Sequence, residues 1–372
     1  MEQTADRSIA VLFGTRPEAI KLAPLVLELR RRGMPSLVVT TGQHRELVAS
    51  VLQLFDIVPD LDLHIMRPGQ TLDYILSETI TGVGELLASR RPAAVVVQGD
   101  TSSALGASLA AFHHGIPVGH VEAGLRSGDM ALPFPEEMNR RVTAVVARWH
   151  FAPTEGAARN LAAEGIHDGV TVTGNTVVDA VRHVLERRQT LPDELASFVG
   201  EARYLLATSH RRESWGGGIA NVAAALAEVL DADPGLRLVF ATHPNPLARE
   251  PVRAALADNP RVHIVDALDY ATFLVLLNGA VLAVSDSGGV QEEGPTLGIP
   301  VLVTRSVTER PEGIDAGAVQ LIGTDRESVR DTVLALLRDP DARQRMASAG
   351  RTIYGDGRAA TRIADTLAAG LG

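Results

Sequence analysis

The run IAVLFGTRPEAIK, residues 9–21, sets the pattern that decides the fold. Its first five residues are apolar and predict a buried strand, which ends at a turn made by Gly14 and Thr15. Pro17 follows at a position where the first turn of a helix accepts proline, so a helix is expected over Pro17–Arg32. A strand, a tight turn and a helix in this order begin an α/β unit.

The same alternation continues along the chain. Further strands are predicted at 36–40, 94–98, 117–121 and 170–173, and after about residue 200 at 203–208, 236–242, 262–265, 281–285 and 299–303. A helix is predicted at Ala104–His114, and Ala271–Val284 is interpreted as a buried helix followed by a strand. This repetition predicts an α/β fold with parallel sheets.

Length and the position of polar segments predict two domains. At about 150 residues per domain, 372 residues are enough for two. We place an N-terminal Rossmann-like domain at 1–182, a polar linker at 183–201, a second Rossmann-like domain at 202–357, and at 358–372 a C-terminal helix that could return to the first domain. Two such domains facing each other leave a central cleft, and ligands bind beyond the carboxyl ends of the strands.

Composition excludes several classes of protein. Thirty-five basic and 45 acidic residues leave a formal charge of −10, which argues against a general nucleic-acid or acidic-membrane binder. The absence of cysteine excludes disulfides, thiolate metal sites and cysteine nucleophiles. The first ten residues do not resemble a signal peptide, and the longest apolar stretch is too short to span a bilayer, so a cytoplasmic location is expected.

Lys21 is the only lysine among the 35 basic residues; the others are arginines. A compact ammonium and a planar guanidinium are not interchangeable, so the position could require lysine for function. The alternative is that it was retained by chance.

Three acidic residues follow predicted strands of the first half. Asp100 ends AVVVQGD, Glu122 lies in GIPVGHVEAG, and Glu136 is expected in a loop within FPEEMNRR. Because the carboxyl ends of parallel strands meet at one edge of a sheet, the three acids are expected to converge. Like charges in a closing cleft raise at least one pKa, which suits proton transfer. Each acid could instead be a helix cap or an ion-pair partner.

The run DSGGVQEEG, residues 286–294, lies between an apolar strand and a helical stretch. Ser287, Gly288 and Gly289 are therefore expected at a strand-to-helix turn, where backbone N–H groups favour a phosphate. Of the two acids that follow, Glu292 and Glu293, one could cap the helix while the other reaches a ribose hydroxyl. The alternative is a tight structural turn.

The run SHRRES, residues 209–214, places a histidine beside two arginines after another predicted strand. His210 could donate a proton or hydrogen bond to a leaving phosphate whose charge Arg211 and its neighbour would take. A surface basic cluster is the alternative. No histidine pair has a supported zinc-binding spacing, and no GxGxxG run with an acidic partner indicates NAD, so neither a metal nor a cofactor is predicted.

Together these stretches resemble the non-hydrolysing UDP-N-acetylglucosamine 2-epimerase family. The runs that carry the resemblance span nearly the whole chain: GTRPEAIKLAPL, TGQHRE, QGDTSS, HVEAGLRSGD, PFPEEMNRR, TGNTVVDA, SHRRES, DSGGVQEEGPTLGIPVLV and TERPEG. The resemblance implies a GT-B-like pair of Rossmann-like domains, a homodimer, and interconversion of UDP-GlcNAc and UDP-ManNAc. It also implies elimination of UDP to a 2-acetamidoglucal, followed by re-addition, with no cofactor.

The resemblance also implies roles for individual residues. Asp100, Glu122 and Glu136 would serve the proton transfers, and His210 would assist the departing UDP. The remaining positions match substrate contacts: Arg16, Lys21, Ser287, Gly288 and Gly289 for the diphosphate, with Arg211 beside them, Glu293 for the ribose, Phe273 for the uracil side, and Arg140 and Arg310 near the sugar.

One part of the family pattern is altered. Some members carry a second, activating UDP-GlcNAc site built from a Gln-His-Arg-Gln stretch and a later arginine. Here Gln43 and His44 remain, but Glu46 and Gly69 stand at the other two positions. An acid and a glycine should weaken anion binding, so Gln43 and His44 are interpreted as vestigial and little or no obligatory activation by substrate is predicted.

Three rival functions remain open at the level of sequence. A GT-B glycosyltransferase would share the fold and the nucleotide site, but would not need three carboxylates at a C2 proton. A nucleotide-sugar sensor would bind without turnover. A third possibility is an epimerase of a UDP-N-acetylhexosamine modified at C3 or C6.

Overall fold

The strands form where apolar and β-branched residues run together. The computed structural model describes residues 7–42, 45–67, 69–209, 217–266 and 268–372. In Ile9–Phe13 and Ala94–Gln98 every residue is buried, as expected for parallel strands covered on both faces. The chain divides into two units: unit 1 comprises Met1–His183 and Tyr354–Gly372, and unit 2 comprises Val184–Ile353.

In unit 1, the described residues form a parallel sheet of seven strands. The strands are β1 (Ile9–Phe13), β2 (Ser36–Thr40), β3 (Leu61–Asp62), β4 (Ala94–Gln98), β5 (Val118–Val121), β6 (Trp149–Ala152) and β7 (Val170–Val172). The helices are α1 (Arg16–Arg31), α2 (Arg45–Leu54), α3 (Leu72–Arg90), α4 (Ser102–His113), α5 (Glu136–Val146), α6 (Glu155–Ala163), α7 (Thr176–Glu186, which runs into unit 2) and α16 (Ala359–Leu371).

In unit 2, the described residues form a six-stranded parallel sheet. Its strands are β8 (Arg203–Ser209), β9 (Leu236–Thr242), β10 (Val262–Val265), β11 (Leu282–Ser285), β12 (Val301–Val303) and β13 (Val319–Leu321). Its helices are α8 (Asp193–Val199), α9 (Gly217–Ala232), α10 (Pro246–Leu256), α11 (Tyr270–Gly279), α12 (Val290–Leu297), α13 (Pro311–Asp315), α14 (Arg326–Arg338) and α15 (Pro340–Gly350).

Both sheets have the doubly wound strand order. The order is β3-β2-β1-β4-β5-β6-β7 in unit 1 and β10-β9-β8-β11-β12-β13 in unit 2, and every paired neighbour is parallel. The direction of winding reverses between β1 and β4, and again between β8 and β11. In open α/β sheets such a switch point is where ligands bind, beyond the carboxyl ends of the strands.

The predicted α/β fold with two parallel-sheet domains is confirmed. All ten predicted strands occur, with ends that shift by at most two residues, and Ala271–Val284 covers α11 and β11 except for one residue at the outer end of each. Three strands were missed: β3 and β13 because they are short, and β6 because WHFA carries two bulky aromatic residues and a histidine instead of an aliphatic run.

The two ends of the predicted linker and the chain terminus are helical. Residues 183–201 contain the last turn of α7 and all of α8, and no strand. The terminal helix α16 belongs to unit 1 and packs on α1, where Arg32 donates to Asp365 at 2.6 Å. None of the described helices is long and apolar enough to cross a membrane.

Candidate active site

The loops after β1 and β4 are joined at the switch point of unit 1. Thr15 is the N-cap of α1, and Arg16, which is half-buried, is its first residue. The carboxylate of Glu18 accepts the backbone N–H groups of Gly14 and Thr15 at 3.0 and 2.7 Å, and the hydroxyl of Thr101 at 2.6 Å. Burial raises the pKa of Glu18, and these hydrogen bonds make the increase smaller. Glu18 therefore ties the loop that carries Arg16 to the loop that carries Asp100.

Lys21 and Glu122 form a buried ion pair in unit 1. Nζ of Lys21 donates to Oε2 of Glu122, and only 6% and 8% of the two residues are exposed. Nδ2 of Asn175 donates to the same oxygen at 3.4 Å. The structure therefore places the lone lysine beside a predicted proton-transfer acid, 101 residues away in the sequence. Its expected contact with a diphosphate stays a prediction.

The backbone of Glu122 is in an uncommon conformation. The residue follows β5 directly and has a φ of +66°, in the left-handed region that side chains other than glycine seldom adopt. Such strain costs about 1–3 kcal/mol and is concentrated at functional sites, where the surrounding structure maintains it. The conformation is independent support for a functional role of this acid.

Asp100 and Arg140 are brought together by the packing of α5. Nε of Arg140 donates to Oδ2 of Asp100 at 3.0 Å, and Nη2 donates to the same oxygen. Nδ2 of Asn139 donates to the backbone carbonyl of Asp100 at 2.9 Å. Two residues predicted separately, an acid and a sugar-side arginine, are therefore in direct contact, and Asn139, which sequence reasoning missed, holds the same loop.

The prediction that Glu136 lies in a loop is wrong: Glu136 is the first residue of α5. Negative side chains are favourable at a helix N-terminus, and Glu136 and Glu137 both occupy the first turn. Glu137 is fully buried and accepts from Arg140 at 2.9 Å and from the N–H of Ser127 at 3.0 Å. Burial would raise the pKa of Glu137, but these two partners, together with Arg141, which donates to Oε1 at 3.0 Å, hold it below its ordinary value. Glu136 thus begins the helix that holds Asp100.

A second residue that sequence reasoning missed is His120, in β5. It is fully buried, and its Nε2 lies 2.8 Å from the carbonyl oxygen of Gly99. Burial lowers the pKa of His120 to about 3, so the imidazole is neutral, and because a carbonyl only accepts, Nε2 carries the hydrogen. The available signal was a histidine inside the apolar strand VGHV.

In unit 2, the loops after β8 and β11 also meet at the switch point. The hydroxyl of Ser209, the last residue of β8, donates to Oδ2 of the fully buried Asp286 at 3.2 Å. The backbone N–H of Ser287 donates to Oγ of Ser285 at 3.0 Å. The prediction of a strand-to-helix turn over Ser287, Gly288 and Gly289 is confirmed, since β11 ends at Ser285 and α12 begins at Val290.

Arg310 covers this turn. A Cβ atom at Gly288 would lie only 2.8 Å from Nη1 of Arg310, so the close approach of the two residues requires glycine. Nε of Arg310 donates to Oε1 of Glu292 at 2.6 Å, and Nη1 donates to Glu309. Both acids are buried and fix the guanidinium against the turn. Of the two acids after the turn, Glu292 therefore binds an arginine, which the sequence did not indicate.

The remaining predicted contacts of unit 2 lie on α11 and α12. Glu293 is buried in the first turn of α12, with its carboxylate 3.6 Å from the position that a Cβ of Gly289 would occupy. Phe273 is half-buried on α11 and packs against the hydrophobic core of unit 2. A ribose contact for Glu293 and a uracil contact for Phe273 stay predictions.

Four predicted residues lie outside the described part of the chain: Gln43, His44, His210 and Arg211. Among the residues that the structure does describe, no group of three or more histidine or acidic side chains could hold a metal ion.

Comparison with known proteins places the chain among sugar-nucleotide epimerases. The family described as UDP-N-acetylglucosamine 2-epimerase matches residues 27–368. A relative from Ralstonia nicotianae, named probable UDP-N-acetylglucosamine 2-epimerase, is 47% identical over 98% of this chain and 99% of its own length.

Two solved structures are similar over nearly the whole chain. One, a putative UDP-N-acetylglucosamine 2-epimerase from Listeria monocytogenes, is 44% identical with a TM-score of 0.94, covering 99% of this chain and 97% of its own. The other is UDP-GlcNAc 2-epimerase from Neisseria meningitidis bound to UDP-GlcNAc, 41% identical with a TM-score of 0.91, covering 97% and 100%. The resemblance inferred from the sequence is confirmed: the chain belongs to the UDP-N-acetylglucosamine 2-epimerase family of isomerases.

Proposed function

We propose that the chain interconverts UDP-GlcNAc and UDP-ManNAc without hydrolysis. The observation that carries this proposal is the arrangement at the carboxyl ends of β4 and β5, where Asp100 contacts Arg140 and Glu122 contacts Lys21. Two carboxylates that follow neighbouring strands, each bound to a cation on a helix, suit a reaction that removes a proton from one face of a carbon and returns a proton to the other.

The proposed reaction has two balanced stages. A carboxylate removes the proton from C2 of the sugar, a C1–C2 double bond forms, and the C1–O bond breaks with its electron pair leaving on UDP. The product of this stage is 2-acetamidoglucal. UDP then adds back through its oxygen at C1 while a proton returns to the opposite face of C2, so the sugar changes configuration and no cofactor is consumed.

We assign the proton transfers to Asp100, Glu122 and Glu136 together. A positioned acid or base contributes typically about 10²–10⁴-fold to such a step. Neighbouring titrating groups release and take up protons as a set, so the assignment of one acid to one face is left open. The strained backbone of Glu122 supports its place in this group.

Departure of UDP concentrates negative charge on the diphosphate, and fixed donors stabilise that charge in the transition state. In unit 2 we assign this binding to the turn Ser287–Gly289, at the start of α12. Arg310, which covers this turn, is assigned a contact near the sugar. In unit 1 we assign diphosphate contacts to Arg16 and Lys21, and a sugar contact to Arg140. The assignments of His210 and Arg211 to the departing UDP, of Glu293 to the ribose and of Phe273 to the uracil rest on the family motifs.

The assembly, location and regulation of the enzyme are also proposals. We propose a homodimer that acts in the cytoplasm on a UDP-sugar, without nucleic acid or membrane. Because Glu46 and Gly69 replace the amide and the arginine of the activating site, we propose that turnover does not depend on activation by UDP-GlcNAc.

Solvent exchange at C2 tests the proposed function. The protein is incubated with UDP-GlcNAc in deuterium oxide, and NMR follows loss of the C2 proton and appearance of UDP-ManNAc. We expect both for the wild type, and a decrease of about 10²-fold or more for Asp100→Asn. The exposed Asp168 provides the matched control, since Asp168→Asn removes one carboxylate from the surface of the same unit. A wild type that incorporates no deuterium would refute the epimerase assignment.

A further inference from the structure

His120 is a buried titratable residue that the proposed reaction does not use. It lies in β5, two residues before Glu122, and its register partner in β4 is Val97. Its ring therefore lies beside the end of β4, where the chain turns towards Asp100. Among the described residues, Nδ1 of His120 has no hydrogen-bond partner, so the ring is held through Nε2.

Both backbone groups of Gly99 are bound to β5. The N–H of Gly99 donates to the carbonyl of Val121 at 3.0 Å, and its carbonyl accepts from Nε2 of His120 at 2.8 Å. Gly99 has a φ of +71°, which glycine adopts without the steric cost that other residues meet. The path of the chain from β4 into the active-site loop is therefore set by the neighbouring strand.

The carbonyl that His120 binds belongs to the peptide unit between Gly99 and Asp100. Rotation of that peptide changes φ of Asp100 directly and moves its carboxylate. Arg140 and Asn139 hold Asp100 from the side of α5, whereas His120 holds the preceding peptide from the sheet. The two contacts from α5 do not fix the orientation of the Gly99–Asp100 peptide, because both are made to atoms of Asp100 that follow this peptide in the chain.

We infer that His120 is a positioning residue for Asp100, acting through the hydrogen bond that its Nε2–H donates to the Gly99 carbonyl. The inference rests on the proposed function, in which Asp100 takes part in proton transfer at C2. His120 itself transfers no proton in this scheme, because its imidazole stays neutral across the working pH range.

A pair of substitutions separates the donor from the bulk of the side chain. In His120→Gln the amide nitrogen is as many bonds from Cα as Nε2 of histidine, so the hydrogen bond can be kept. His120→Met has a similar size and shape and no donor. Because a displacement of about 1 Å can cost about 10²-fold in rate, we expect kcat of His120→Met to fall about 10²-fold while KM changes little. The kcat of His120→Gln should be at least about tenfold higher than that of His120→Met.

His150 provides the matched control. It is the register partner of His120 in β6, is 2% exposed, and lies one strand further from β4. Burial also lowers its pKa. We expect His150→Met to leave kcat within about threefold of the wild type, although it perturbs the same sheet. UDP affinity, measured by calorimetry, should be unchanged in every variant, and the pH profile of kcat should keep its shape.

Several results would overturn the inference. The first is an unchanged kcat in folded His120→Met. The second is a loss of kcat in His120→Gln or in His150→Met that equals the loss in His120→Met. The third is a pH profile of kcat that loses one limb in the His120 variants, which would make His120 a proton-transfer group. If His120→Met does not fold, His120→Asn replaces it, because its amide is one bond too short to reach Gly99. Failure of the proposed function is distinct, since the wild type itself would then show no exchange at C2.

Discussion

Breaking the buried ion pair between Lys21 and Glu122 should destabilise unit 1 by several kcal/mol. Lys21→Met removes the ammonium and leaves the carboxylate of Glu122 in a site where 8% of the residue is exposed. Removal of one member of a buried pair typically destabilises by about 3–5 kcal/mol, because the remaining charge stays buried without the opposite charge that stabilised it. At an m value of about 2.5 kcal/mol per molar urea, the midpoint should fall by roughly 1.5 M.

A double variant, Lys21→Met with Glu122→Gln, measures how much of that destabilisation comes from burying one charge without the other. When Glu122→Gln is added, the cost should be smaller than the sum of the two single variants by roughly 0.5–3 kcal/mol, since neither charge is then left alone. Lys21→Arg should cost about 1–3 kcal/mol, because the larger guanidinium must enter a closely packed site.

Tryptophan fluorescence can report on unit 1 alone. The chain has two tryptophans, and Trp149 is buried in β6 of the unit-1 sheet. In a Trp215→Phe background, the emission of Trp149 during urea unfolding therefore follows the unit that contains both charges. The reasoning is refuted if Lys21→Met costs less than about 1 kcal/mol, or if the two single variants are additive.

Two further predictions concern the packing of unit 2 and the acid stability of unit 1. Gly288→Ala should weaken UDP binding about tenfold or more, because the new methyl group would lie 2.8 Å from a guanidinium of Arg310 that two buried acids hold in place. Calorimetric titration with UDP measures the affinity, and Gly235→Ala, whose methyl group has space, is the control. Equal UDP affinities for the two variants would contradict the prediction. In the folded chain the pKa of Glu137 lies below its ordinary value of 4.5. The ionised carboxylate therefore stabilises the fold at pH values above 4.5, and this contribution is lost as the pH falls through the pKa of the folded state. Glu137→Gln should therefore lower the urea midpoint at pH 7 and make the midpoint depend less on pH below about 5, whereas Asp168→Asn should do neither. Parallel curves of midpoint against pH for Glu137→Gln and the wild type would exclude stabilisation by the Glu137 carboxylate.

The sequence predicted the architecture well because the decisive signal is local. A run such as AVVVQ, which is buried along its whole length, is typical of a parallel sheet covered by helices, and ten predicted strands occur in order. The missed strand WHFA shows the limit of this signal. Its aromatic and histidine side chains do not form an aliphatic run, and burial in β6 depends on β5 and β7 on either side.

Residue types in the site could be predicted from motifs, but their partners could not. Nothing near Lys21 in the sequence indicates Glu122, since the pairing depends on the strand order that brings the loops after β1 and β5 towards one edge. The same holds for Arg310, which covers a glycine 22 positions earlier because α13 packs against α12.

By itself, then, the sequence determined the repeated α/β units, the turns that follow their strands and the family to which the chain belongs. These depend on hydrophobic periodicity, on glycine and proline positions, and on runs of a few residues. Only the tertiary structure decided which charges neutralise one another, that Glu136 begins a helix, and that His120 holds the peptide before Asp100. The physical reason is that hydrogen bonds and ion pairs depend on distances of about 3 Å between atoms, which are set by the packing of elements far apart in the chain.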